Sequence, residues 1–165
     1  MFLKNYTSEV PVTQTIHRIE QVLVRCGASG IAKEFVGTEG KVSAVAFQIE
    51  APAGRLTIRL PADEKAALEA LWSDYAAGEK LTADGSAIQW NGRKRKRKAD
   101  FAEQAARTAW KIVQDWVEVQ MSMIQLRQAD TLQVFLPYVW NGQTTYYQAL
   151  KGQSFRGLLP EKCAA

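Results

Sequence analysis

The chain has a single histidine, His17, and two cysteines, Cys26 and Cys163, so the residues that most often hold metals or act as general bases are nearly missing. A zinc site or a disulfide framework needs more of both. No Walker-type glycine loop, no GxGxxG after a strand, no nucleophile elbow, no HExxH and no CxxC pair occurs. Long apolar runs are absent as well: none approaches the roughly 20 residues that a bilayer span requires. The segment Met1-Phe2-Leu3-Lys4-Asn5-Tyr6 lacks the apolar stretch of a signal peptide. The expectation is a cytoplasmic protein with no membrane contact, no cofactor and no metal, and not an enzyme. Asp115 and Glu118 lie three apart on a helical pattern, as paired metal-binding carboxylates do, but no histidine or further acid joins them at matching spacing. They read as surface acids. His17 adjoins an apolar stripe and reads as a packing or hydrogen-bonded residue.

What is present is ordinary in bulk and unusual at one place. With 165 residues, 47% hydrophobic and 23% charged, the chain has the size and composition of one self-sufficient globular domain. Its charge is far from evenly spread. Residues 1 to 92 hold 9 Lys+Arg against 11 Asp+Glu and residues 99 to 165 hold 6 against 6, so −2, +6 and 0 give the net +4. The whole positive balance therefore sits in Arg93, Lys94, Arg95, Lys96, Arg97 and Lys98. Six adjacent cations hold a dense cloud of anions, and its release favours binding a polyanion. A solvated loop that aids solubility is the plainer reading of the same run.

The periodicity predicts an α+β fold: helix, three-stranded antiparallel sheet, helix, then a long helix and short C-terminal helices. Val12, Ile16, Ile19, Val22, Leu23 and Cys26 follow the 3.6-residue period, and Gly27 is placed to end that helix in a left-handed conformation. Strands are predicted over 30–36, 42–50 and 54–60, with Val45, Phe47 and Ile49, then Leu56, Ile58 and Leu60, on one buried face. Arg55, Thr57 and Arg59 fall on the opposite face, where Glu34 and Glu50 of neighbouring strands partly offset them. Pro61, Asp63 and Glu64 open a second helix carrying Leu68, Leu71, Trp72 and Tyr75, with Gly78 at its end. A helix over about 99–127, roughly 43 Å long, is apolar on several sides through Trp110, Val113, Trp116, Val117, Val119, Met121, Met123, Ile124 and Leu126. Such a helix is central to a core or part of an oligomer interface. Asp130 to Gln133 resembles a capping box, Pro137 stops the short helix it opens, and Asn141-Gly142 turns into a last helix ended by Gly152. As one domain over 1–165, the chain comprises a core over 1–78, a basic loop over 79–98, a helical part over 99–152 and a tail over 153–165.

The order helix, three strands, helix in residues 12 to 77 resembles the topology of the double-stranded-RNA-binding domain. That family carries lysines where its second helix begins, whereas this chain reads Pro61-Ala62-Asp63-Glu64-Lys65. Lys4-Asn5-Tyr6-Thr7, Val10-Pro11-Val12, Arg59-Leu60-Pro61, Ala109-Trp110, Asp115-Trp116-Val117-Glu118-Val119-Gln120 and Val134-Phe135-Leu136-Pro137-Tyr138-Val139 look like a group of small phage and mobile-element proteins. That resemblance implies a setting and no catalytic residues. In outline the chain is also similar to phage single-strand annealing proteins. The leading expectation is a non-enzymatic nucleic-acid-binding protein that grips phosphates through Arg93 to Lys98, helped by Arg55 and Arg59, with bases stacking on Trp90 and single-stranded DNA favoured. The alternative is a protein-interaction module, such as a phage-encoded inhibitor or assembly subunit, that meets a partner or a second copy through the long helix.

Overall fold

In a computed structural model, residues 3–38, 40–52, 54–79 and 96–156 are described. The arrangement is α+β. Helix α1 (Val12–Arg25) leads into strands β1 (Gly30–Val36), β2 (Lys41–Ala51) and β3 (Gly54–Pro61), followed by α2 (Glu64–Glu79). A 3₁₀ turn (Lys98–Phe101) opens onto α3 (Ala102–Gln125), and α4 (Thr131–Phe135), a second 3₁₀ turn (Leu136–Tyr138) and α5 (Tyr146–Gly152) follow. Among the described residues no helix is long and apolar enough to cross a membrane.

Local chemistry sets these boundaries. Gly27, at φ +90°, closes α1: its N–H donates to Val24 O at 3.1 Å and the Ala28 N–H donates to Leu23 O at 3.0 Å. That crossed pair needs a left-handed residue, which glycine adopts without a Cβ clash. Asp63 starts α2 by accepting the Ala66 N–H on Oδ1 at 2.8 Å. The helix then runs to Glu79, through Gly78 rather than ending on it. Asp100 sets the entry to α3, its Oδ2 accepting the Arg97 N–H at 2.7 Å, so a tight 3₁₀ turn precedes the α-helix.

The chain divides into two compact units, Met1–Ile19 with Ala62–Glu118, and Glu20–Pro61 with Val119–Ala165. The second contains the sheet, an antiparallel meander in the order β1-β2-β3 with Phe47 opposite Ile31 and Ile58. Its inner face buries Val45, Phe47, Ile49, Ile58 and Leu60. Phe135 of α4, fully buried, meets Phe47 edge-on at 5.2 Å between centroids and 84° between planes. Val139 bridges to Ile58 and the Trp140 N–H donates to Thr57 O at 2.8 Å, so the outer edge of β3 is partly paired. Asn141 then turns the chain by accepting the N–H groups of Gln143 and Thr144 on Oδ1, and a Thr145–Gln148 capping box opens α5.

The first unit packs α2 against the first half of α3 through Ala67, Leu71, Ala105 and Ala109, with Leu3, Ala62, Leu68 and Phe101 around them. Trp110, fully buried, donates its Nε1–H to Glu64 Oε1 at 3.2 Å. A polar stripe on α3 holds residues 4–8: Gln104 Nε2 donates to Ser8 O at 3.0 Å, Thr108 Oγ1 donates to Asn5 O at 3.1 Å, and Asp115 accepts from Asn5 Nδ2 at 3.0 Å. These positions, four and then seven residues apart, fall one and then two turns further along the same helical face.

Candidate nucleic-acid interface

The cationic run enters the described chain at Lys96, just before the 3₁₀ turn. Trp90, Arg93, Lys94 and Arg95 lie outside the described residues. Each of the three remaining cations meets a specific neighbour. The Lys96 ammonium stands 5.3 Å from the Phe101 ring centroid, and its backbone N–H donates to Tyr75 Oη at 3.3 Å. Arg97, with 85% of its side chain exposed, lies 3.6 Å from Asp100 Oδ1, so solvent reaches most of its guanidinium. Lys98 pairs with Glu69 on α2.

Next to Lys96, α2 and the 3₁₀ turn assemble three aromatic rings. Trp72 and Tyr75, three apart on α2, lie with centroids 5.8 Å apart. Phe101 stands 5.2 Å from Tyr75 and 6.2 Å from Trp72. All three are half-buried, so each ring packs on the core along one part and meets solvent along another. The hydrophobic pattern shows Trp72 and Tyr75 only as core residues of α2. Their grouping with Phe101 needs the fold, because 26 positions separate Tyr75 from Phe101 (101 − 75 = 26). The spacing of Phe101 from the end of the run was the one available signal.

Arg55 and Arg59 belong to the sheet unit and both are ion-paired. Arg55 Nε lies 2.8 Å from Glu50 Oε1, directly across β2 and β3, with both side chains exposed. Arg59 makes a two-pronged contact with Glu34, Nε to Oε1 at 2.8 Å and Nη2 to Oε2 at 2.7 Å. Glu34 is on β1 and Arg59 on β3, so the bridge must pass over Ala44 and Ala46 of β2, which are buried. Only small residues leave room there. Hydrogen bonds from Arg59 hold the Glu34 carboxyl below its ordinary pKa, against the opposing effect of burial and with help from the Arg59 charge. The guanidinium also lies 5.9 Å from the Trp140 ring centroid. Beside this bridge is a depression of about 180 Å³ lined by Gly30, Ala32, Ala46, Gln48 and Thr57 among others. The sheet face thus carries matched pairs rather than a field of one sign.

Among the described residues no group of three or more His, Cys, Asp or Glu is placed to hold a metal. Asp115 and Glu118 do not converge: Asp115 is held by Lys4 Nζ at 2.8 Å, Asn5 Nδ2 at 3.0 Å and Lys111 Nζ at 3.0 Å, whereas Glu118 accepts from Gln114 Nε2 at 2.6 Å. Burial opposes ionisation of Asp115, but hydrogen bonds from Lys4, Asn5 and Lys111 and the Lys111 charge outweigh it and bring the pKa down to about 2. A folded value below the unfolded one stabilises the fold above the unfolded pKa, and this contribution is lost as pH falls through the folded value. With a side chain 20% exposed, the expected contribution at neutral pH is on the order of 2 kcal/mol. Urea unfolding of wild type and Asp115→Asn at neutral pH and at several values between pH 5 and about 2 checks this. The variant is expected to be weaker at neutral pH and to converge on wild type as acid protonates Asp115. A gap that stays constant with pH would show that this carboxylate is not coupled to folding.

Compared with known proteins, the chain matches no family model, no curated protein and no solved structure.

Proposed function

We propose that this is a non-enzymatic, cytoplasmic nucleic-acid-binding protein of phage or mobile-element type, gripping backbone phosphates through Arg93 to Lys98. The observation that carries the reading is the concentration of the chain's net positive charge in six consecutive residues, of which Lys96 stands against the half-exposed Phe101 ring. Phosphates carry no base code, so these contacts position the protein without selecting a sequence. Arg55, in an exposed pair, exchanges Glu50 for a phosphate at little cost. Arg59 is engaged on two sides by Glu34 and Trp140 and acts chiefly as a bridge across the sheet.

Competition tests this reading. Protein stripped of bound nucleic acid by a high-salt wash is titrated into labelled DNA and then challenged with heparin or unlabelled DNA. DNA is expected to compete better than heparin at equal charge. Equal affinity for heparin and for every nucleic acid would reduce the interaction to nonspecific attraction.

A protein partner on α3 is the second reading, favoured by Val119 on the helix and Leu126 in the turn directly after it, 56% and 68% exposed. Sedimentation of the protein alone tests its self-associating form.

A further inference from the structure

The rings of Trp72, Tyr75 and Phe101 meet at the end of the cationic run, and an ammonium already occupies one of them. Phe101 packs partly on the Ala67, Leu71, Ala105 and Ala109 cluster, and the Lys96 ammonium lies over its ring at 5.3 Å. Lys96 is exposed, so its contact with Phe101 is the weak kind of cation–π interaction that a better partner displaces. An unstacked nucleobase is such a partner, because it presents a flat apolar face of matching size. The displaced ammonium then finds the phosphate next to that base, while Arg97 reaches a neighbouring phosphate from solvent.

We propose that Tyr75 and Phe101, with Trp72 behind them, form a base-stacking platform that makes the protein prefer single-stranded DNA over duplex. The proposal rests on the phosphate-binding reading and adds to it the substrate class. Duplex DNA keeps its base faces stacked and offers only its phosphates, so it gains from the cations but not from the rings. Lys98 is paired with Glu69 of α2, and Arg97 stays largely in solvent near Asp100, so Arg97 is free to meet a phosphate without first giving up a tight ion pair.

Anisotropy titrations of a labelled oligothymidylate and of a duplex of equal length, at two salt concentrations, test this with wild type, Tyr75→Leu, Phe101→Leu and Tyr75→Phe. The two Leu variants are expected to lose roughly tenfold in single-strand affinity and to leave duplex affinity unchanged. Tyr75→Phe keeps a ring and is expected to keep the preference. Leu variants that melt like wild type and retain the full preference would overturn the platform. Should they melt early, photocrosslinking of wild type to an oligonucleotide containing 5-bromodeoxyuridine decides instead: crosslinks at Trp72, Tyr75 or Phe101 support the platform, and crosslinks only elsewhere refute it. Wild type that binds both DNA forms equally, with a salt-dependent affinity, defeats the platform and leaves the phosphate reading standing. Wild type that binds neither form defeats both.

Discussion

Phe135→Ala is expected to weaken the fold by about 3–5 kcal/mol, a large share of the ~5–15 kcal/mol that holds a domain of this size together. Phe135 is fully buried and meets Phe47, also buried, at the inner face of the sheet. Removing the ring leaves a cavity that neighbours in regular strands fill poorly, so the loss includes both transfer and cavity contributions. Phe135→Leu keeps most of the volume and is expected to cost far less. Urea unfolding of the three proteins measures the differences. A Phe135→Ala variant within about 1 kcal/mol of wild type would show that α4 is loosely attached. Deleting residues 131–165 is the more drastic form, because it also removes the Val139 bridge to Ile58 and the Trp140 hydrogen bond to Thr57. It is expected to expose the Phe47 face and cause aggregation.

Replacing Arg93, Arg95 and Arg97 together with Ala is expected to reduce DNA affinity by roughly 10²- to 10³-fold near 50 mM salt. Each phosphate contact on a single strand releases about 0.7 of a counterion, so each contributes close to a tenfold effect between molar and 50 mM salt. The loss from three contacts follows by multiplication. Thermal stability should barely change, since Arg97, the one of the three within the described residues, is almost wholly exposed and its nearest carboxylate oxygen, on Asp100, is 3.6 Å away. A variant that loses affinity only because it unfolds would separate itself at once in a melting curve.

Much of the fold is legible in the residues because its signals are local. The bounds of β1 and the end of α1 follow from the glycine-rich turn after residue 36 and the left-handed Gly27. The start of α2 is less so, because Pro61, read as part of its opening, ends β3 instead, and Asp63 caps the helix. The same holds for α3. Its apolar pattern starts near Ala99, but Asp100 tightens the first turn into a 3₁₀ geometry, and the α-helix covers Ala102–Gln125. Its end is also unusual, with Arg127 at φ +56° in a position that glycine normally takes. The polar stripe of Gln104, Thr108 and Asp115 reads as a solvent face until residues 4–8 are laid along it, because those partners lie about a hundred residues away in sequence.

The candidate site shows the same division. Opposite charges on β1 and β3 are visible as letters, but the bridge from Arg59 to Glu34 depends on strand register, and the irregularity between Glu34 and Phe35 follows directly after it. Likewise the cations of the run are plain in sequence, whereas the rings beside them are joined only by packing of α2 against the turn before α3.

The most direct measurement is the salt dependence of binding to a single-stranded oligonucleotide for wild type and for the Arg93, Arg95 and Arg97 triple Ala variant. Plots of log association constant against log salt are expected to be straight, with wild type steeper by about 2 for three lost contacts. Parallel lines, or no binding by wild type at low salt, would contradict the assignment of phosphate contacts to the cationic run.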